Sequence, residues 1–322
     1  MRMNLNYKKM KKKLLLAGIV SGMMFSCAFE EVMEHKKPID STNNTEVKFL
    51  SSINTLGTTY SRLIGDFWEV GDAIGTYMIE KGSYAVVNEK SNVRYITEKK
   101  GHQCNFIGTD DFIFFPEDGR EVRFMSYYPY NESIKGAIYK IDVSEQFPQS
   151  KLDFLYSFNT SATYDKNSEG EKVPIIFKQQ MIKIIINIKN GEGLQGFDLM
   201  NMKVYFSGLS TTADFNLLTG EISNYNTPSL IYPSILIAGG GNVYSSEAII
   251  IPKSDMSNSK IVIDMNNGNK NQKNDVYTWN LGKALIKGKK YTYNITVNRA
   301  GISVNSAIHN WNSINIDEEV SF

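Results

Sequence analysis

The chain is poor in the residues that most often carry chemistry. It holds 3 histidines and 2 cysteines among 322 residues. His35, His102 and His309 are far apart in sequence, and none has a second ligand at metal spacing. Two cysteines, Cys27 and Cys104, do not make a disulfide scaffold. Charge of one sign is lacking too, with 35 basic against 34 acidic side chains and a net of +1. That balance removes the electrostatic case for nucleic acid or for a polybasic membrane patch. There is no G-x-S-x-G elbow, and no serine or cysteine has a base close by in sequence. The glycine-rich Ala238–Asn242 is followed by no helical pattern that would aim amides at a phosphate, so it reads as a loop or bulge. The paired acids in Gly108–Asp111 and Asp317–Glu319 could form an acid pair or a loose cation site, but exposed turn acids are far commoner. No metal, cofactor or reaction is implied. The chain binds or builds, and it is not expected to be an enzyme.

What is present begins with an export signal. Lys8, Lys9, Lys11, Lys12 and Lys13 precede an apolar stretch, Leu14–Phe25. As a helix that stretch spans roughly 18 Å, too little for a bilayer core of roughly 30 Å, so it reads as a secretory h-region over residues 1–26. Ser26 supplies a small residue before Cys27, the arrangement a lipoprotein peptidase cuts. Met24 and Phe25 are bulkier than that site usually carries, and an ordinary signal cleaved nearby is the alternative. The following Ala28-Phe29-Glu30-Glu31 resembles the acidic signal that sends Bacteroidetes lipoproteins to the outer face of the outer membrane. Acyl chains on Cys27 would hold the protein there, at ~0.8 kcal/mol per buried methylene. Cys104 is then left without a disulfide partner and is expected to be a lone buried thiol. Residues 27–45, polar and containing Pro38, are expected to form a flexible tether.

Beyond residue 45 the pattern is that of strands. In Met181–Ile188, Ile182, Ile184, Ile186 and Ile188 share one face, while Met181 and Ile185 make the other half apolar, as in an inner strand. Tyr291, Tyr293, Ile295 and Val297 alternate with Thr292, Asn294 and Thr296. Ala137, Tyr139, Ile141 and Val143 do the same, and 123–130, 202–208 and 260–265 behave similarly. Turn clusters such as Glu117-Asp118-Gly119, Lys189-Asn190-Gly191 and Thr219-Gly220 separate them. One or two antiparallel β-sandwiches follow. Short helical turns are expected only near Ser254–Ser259 and Leu281–Ile286.

Four blocks in order carry a family likeness. Phe67–Met78 holds a tryptophan, a Gly-Asp pair and an Ile-Gly-x-Tyr strand, and Arg123–Tyr130 is an aromatic strand ending in Tyr-Pro-Tyr. Val173–Ile188 follows, with Gln179 where a histidine is usual, and then Gly288–Asn312 with its Tyr-x-Tyr-x-Ile-x-Val run and late tryptophan. The set resembles the fimbrillin family of Bacteroidetes over nearly the whole chain after the signal. The resemblance implies an all-β chain of two tandem transthyretin-like antiparallel sandwiches, here 46–172 and 173–322. It also implies assembly with other fimbrial subunits into surface pili. An arginine-specific protease would remove the first strand of a subunit, and a strand of the neighbour would enter the groove.

Three local features bear on that expectation. Val47, Phe49 and Ile53 share one face of 46–54, interrupted by Ser51, which makes this segment the candidate displaced strand. Arg62 lies just before Trp68 and is the candidate cleavage site, the alternative being a solvated loop charge. In 313–322, Ile314, Ile316, Val320 and Phe322 share one parity with Glu318 as the break, the pattern of a candidate donor strand. The alternative is a last edge strand within its own domain. A different class of function stays open: a lipid-anchored monomeric adhesin that binds glycans or other host or bacterial surface ligands. Its stacking candidates are Trp68, Trp279, Trp311, Tyr127, Tyr128 and Tyr130, with Trp68 and Trp311 placed by their apolar neighbours in cores and Trp279 in a loop-like segment.

Overall fold

The structure is a computed structural model and describes residues 46–53, 67–134, 136–158, 164, 172–239, 243–265 and 276–311. Cys27, Arg62, Asp317–Glu319 and the segment 313–322 lie outside the described residues. In chain order the strands are β1 (Lys48–Ile53), β2 (Ala73–Glu80), β3 (Val93–Thr97), β4 (Gln103–Gly108), β5 (Val122–Tyr128), β6 (Ile138–Asp142), β7 (Leu155–Phe158), β8 (Lys172–Gln179) and β9 (Ile182–Asn190). They continue as β10 (Lys203–Leu209), β11 (Thr212–Asn216), β12 (Glu221–Ser223), β13 (Ser229–Ile231), β14 (Ser234–Gly239) and β15 (Val243–Ile250). The last four are β16 (Lys260–Asp264), β17 (Val276–Asn280), β18 (Lys289–Asn298) and β19 (Gly301–Asn310). The fold is all-β: among the described residues there is no α-helix, only two short 3-10 turns at Gln149–Leu152 and Leu199–Asn201.

Seven strands close into a barrel in the order β1-β4-β3-β2-β5-β7-β8. A five-stranded sheet, β14-β15-β9-β18-β19, a four-stranded sheet, β13-β10-β16-β17, and a three-stranded sheet, β12-β11-β6, complete the fold. The sheets depart from the purely antiparallel expectation at two places, where β1 runs parallel to β8 and β9 runs parallel to β18. Parallel neighbours need long connections, and the paired residues are far apart in sequence, as Lys48 with Lys172 and Lys183 with Lys290. Alternation within one strand carries no trace of such a distant partner.

Two apolar clusters organise these sheets. One fills the barrel and includes Val47, Phe49, Trp68, Tyr95, Phe106, Phe124, Ile175 and Phe177. The other gathers Ile182, Ile184, Ile186 and Ile188 with Phe206, Phe215, Ile250, Ile261, Tyr293 and Trp311. Strands β2 and β5 face both clusters: Ile74 and Met78 point into the barrel, while Tyr77, Ile79, Met125 and Tyr127 join the second cluster. A strand covered on both faces needs apolar residues on both, which is why Ala73–Glu80 reads as a continuous apolar run. Strand β8 has one wet face and alternates strictly.

The expected inward faces are found. In β9 the four isoleucines are buried, Ile185 is half-buried, and Met181 is buried as well. In β18, Tyr291, Tyr293, Ile295 and Val297 are buried, although Thr292 is buried with them. The two expected helical turns are not helices. Met256 N–H donates to the Lys283 carbonyl (2.7 Å) and Leu281 N–H to the Ser259 carbonyl (2.9 Å), so these segments spend their backbone groups on each other. The block Val173–Ile188, a single stretch in sequence, is two strands in different sheets. Its break falls at Gln180, whose backbone N–H donates to the Phe154 carbonyl at 3.0 Å.

Candidate functional site: the slot of the first strand

The first strand occupies a slot between β4 and β8. On one side it is antiparallel, with Phe49 opposite Phe106 and Ser51 opposite Cys104. On the other it is parallel, with Lys48 opposite Lys172 and Ile53 opposite Phe177. Just before it, Val47 N–H donates to the Ile113 carbonyl (2.8 Å), and Glu46 forms a bridge with Phe114. The period of two puts Val47, Phe49 and Ser51 on the inner face. All three are 0% exposed, whereas Ile53 is half-buried at the rim.

Phe49 is the anchor. Its ring meets Tyr95 edge-on at 4.8 Å and Phe124 at 5.2 Å, a geometry worth about 0.5–1.5 kcal/mol per pair beyond burial. The Tyr95 hydroxyl accepts from Ile113 N–H at 3.0 Å, tying the slot wall to the segment that receives Val47. Burial pushes the Tyr95 phenol well above its ordinary range, with the Ile113 hydrogen bond opposing and the charges of Glu46 and Asp111 adding. Trp68 braces the far end, with Phe106, Tyr128 and Phe177 around its indole at 5.0, 5.4 and 5.3 Å. Cys104 is a buried free thiol whose Sγ–H donates to the Lys99 carbonyl at 3.1 Å.

The inner face of β1 has one defect. Ser51 Oγ is buried with no hydrogen-bond partner, and Trp68 Nε1 shares that condition. An unsatisfied buried hydroxyl costs about 1–3 kcal/mol. The serine interrupts the apolar stripe of the strand, and its parity with Val47 and Phe49 places it on the inner face. The slot-lining Tyr95, Phe106, Phe124, Ile175 and Phe177 were not singled out from sequence. The usable signal was the strict alternation of β3, β4 and β8, each buried on one face.

Other candidate residues are scattered. Asp111 is ion-paired with Lys90 at 2.6 Å. The ring of His102 lies 3.7 Å from that of Phe67, and His309 sits in β19 opposite Lys290. Among the described residues no group of three or more His, Cys, Asp or Glu is placed to hold a metal. Trp68 and Trp311 are buried, while Trp279 stands 37% exposed on β17 at a sheet edge. Tyr127 is buried in the second cluster, with its hydroxyl bonded to Asn92 Oδ1 at 2.6 Å. Tyr128 and Tyr130 border a polar cleft of about 890 Å³ that also takes in Asp72, Arg94 and Asn131. There the Tyr128 hydroxyl donates to Asp72 (3.1 Å), and the Arg94 guanidinium lies 5.7 Å from the centre of the Tyr130 ring.

A barrel whose first strand is held by side-chain anchors within a slot, with further sheets sharing a second core, defines an all-β protein. Residues 59–311 match the fimbrillin-like family model, and the chain belongs to that family. A curated relative, the candidate fimbrium subunit Fim1C of Bacteroides uniformis, is 26% identical over 310 residues, covering 94% of this chain and 96% of its own length. The crystal structure of a candidate cell adhesion protein of Bacteroides uniformis superimposes with a TM-score of 0.63 at 25% identity, over 84% of this chain and 99% of that one. A candidate cell adhesion protein of Bacteroides ovatus shares the fold at the same TM-score, with 21% identity, 85% of this chain and 100% of that one. The role is accordingly structural and fimbrial, part of a cell-surface appendage, and not enzymatic.

Proposed function

We propose that this chain is a fimbrial subunit that polymerises by exchange of its first strand, after being held at the outer membrane by a lipid on Cys27. An arginine-specific protease cuts after Arg62, β1 leaves its slot, and the segment 313–322 of a second subunit enters. One observation carries the reading: β1 is an inserted segment, ladder-bonded to β4 and β8, with Val47 and Phe49 as its only fully buried apolar anchors and an orphaned hydroxyl on Ser51. A slot vacated by β1 exposes unpaired backbone along both lips, which another extended chain can complete. The new contact is heterologous and does not close on itself, so it grows as a fibre.

The reading also keeps two tandem transthyretin-like sandwich domains, 46–172 and 173–322, with β8 closing the barrel and β6 pairing with β11 across that boundary. Limited trypsin digestion of purified protein, followed by gel and electron microscopy, tests the reading. The wild type should be cut at Arg62 and form ladders of polymer, Arg62→Ala should stay monomeric, and removal of residues 313–322 should give cut chains that do not extend. Cutting at Arg62 without polymer sinks the proposal. The exposed Trp279 and the tyrosine-lined cleft favour the second reading, a monomeric adhesin for glycans. It predicts retardation of the uncut protein in polysaccharide gels.

A further inference from the structure

From Ile222 to Ser246 the sequence carries no Lys, Arg, Asp or Glu, the longest such run in the chain. Two of its strands, β13 and β14, follow one another through Tyr232 and Pro233, yet each lies at the edge of a different sheet, the four-stranded and the five-stranded. We propose that this charge-free edge binds a second copy of the chain, β14 against β14 about a twofold axis, so that two five-stranded sheets join into one. The contact is separate from the slot of β1 and does not depend on strand exchange.

The edge is apolar as well as uncharged. Leu230, Tyr232, Ile235, Leu236 and Val243 are each 47–55% exposed. Ile235 opposes Ser246 and Ile237 opposes Ser245, so Leu236 is an extra residue that bulges from the ladder. A regular strand sends neighbouring side chains to opposite faces, and a bulge re-aims one of them; here both Ile235 and Leu236 are left in solvent. The Tyr232 ring lies 5.8 Å from that of Tyr205, which holds it at the rim. Away from β15, β14 has no partner among the described residues and presents a row of unpaired N–H and C=O groups. Sheet edges are ordinarily guarded by charge, by proline or by polar side chains. The edge strands of the three-stranded sheet follow that rule, β6 with Lys140 and Asp142 and β12 with Glu221. At the far edge of the five-stranded sheet, β19 spaces its apolar residues with Ser303, Asn305 and Ser306. β14 has no such guard.

The lack of charge decides the occupant. A strand that pairs with its own copy about a twofold axis is antiparallel, and the two copies of any charge within its 6 residues come close to each other. A run free of charge meets that condition at every position. A partner of different sequence would be selected by complementary charge, and this edge offers none. The area agrees: half of five large side chains amounts to on the order of 500 Å² per copy, or about 1,000 Å² for two, which reaches the lower bound of a specific interface before the backbone of β14 is counted. Such a contact closes on itself and ties copies in twos. In a fibre that grows head to tail it would join filaments side by side.

The experiment uses the full chain with Cys27→Ala and Arg62→Ala, unlipidated and uncut, in sedimentation equilibrium. Dimers should form over roughly 1–100 µM. Leu236→Lys should weaken them roughly 100-fold or more while leaving the melting curve of the monomer unchanged, because Leu236 is half-exposed. Ser303→Lys, on the opposite edge strand β19, should leave the dimer intact. Amides of β14 that face away from β15 should exchange slowly in the dimer and fast in Leu236→Lys. A chain that stays monomeric throughout that range overturns the proposal, and so does a dimer that survives Ile235→Lys with Leu236→Lys or leaves the β14 amides unprotected. Dimers that appear only after removal of residues 313–322 would mean that the chain's own tail covers this edge, and would overturn it as well. Failure of strand exchange shows separately, as absence of polymer from the trypsin-cut wild type.

Discussion

Two substitutions on the inner face of β1 should act in opposite directions. Phe49 is 0% exposed and packs edge-on against two rings, so Phe49→Ala should cost about 3–5 kcal/mol, as aromatic truncations in cores do. Ser51, two residues on and equally buried, carries a hydroxyl with no partner. Ser51→Ala removes that unsatisfied group and should stabilise the barrel by about 1 kcal/mol or more. Against a total of about 5–15 kcal/mol, the first change is severe and the second modest but measurable, with a melting shift of about 2–4 °C per kcal/mol for a domain of this size. The assay is urea and thermal unfolding followed by Trp68 emission, with Trp279 and Trp311 replaced by phenylalanine so that the signal reports the barrel. The same pair should split in the digestion assay, Phe49→Ala losing its first strand sooner and Ser51→Ala retaining it longer after the cut at Arg62. A destabilised Ser51→Ala, or a Phe49→Ala that melts like wild type, refutes the account of β1 as an anchor beside a defect.

Further expectations concern other parts of the chain. Ile184 is 0% exposed in the middle of β9, between Ala248 and Tyr291, so Ile184→Asp should cost several kcal/mol; an unchanged melting curve would contradict its place in the core. Asp153 is raised by burial to about 6, with Lys183 and a Gln179 hydrogen bond pulling it back and Glu247 pushing it up. Its folded pKa thus lies above that of the unfolded chain, so its contribution is greatest below about pH 4 and is lost as pH rises through about 6. Asp153→Asn should remove that pH dependence, about 3 kcal/mol across the window, checked by denaturant melts at several pH values. Cys27→Ala should leave the protein unlipidated and absent from outer-membrane fractions; retention there with palmitate labelling would refute the anchor.

Much of the strand pattern was legible because one-face burial leaves a period of two. The isoleucines of β9 and the tyrosines of β18 declared their faces, and Trp68 and Trp311 declared cores. Strands β2 and β5 were harder, since cover on both sides erases alternation. The parallel pairing of β1 with β8 was out of reach, because register between segments more than a hundred residues apart leaves no local mark. Of the slot, Val47 and Phe49 could be picked by parity. The walls could not, and the full burial of Ser51 depends on β4 and β8 closing over it.

The slot also has a mechanical side. Residues 48–53 are in register with β8 along their whole length and with β4 along most of it. A chain segment gripped on both flanks can be pulled out along its own axis only by breaking its rungs together, in shear. Peeling, which breaks them one after another, needs a pull across the ladder. Resistance to such a pull is set by the rate of escape and not by equilibrium affinity. Drag on a filament joined through this slot would act along the segment, and the joint would hold for as long as its slowest rung-breaking step takes.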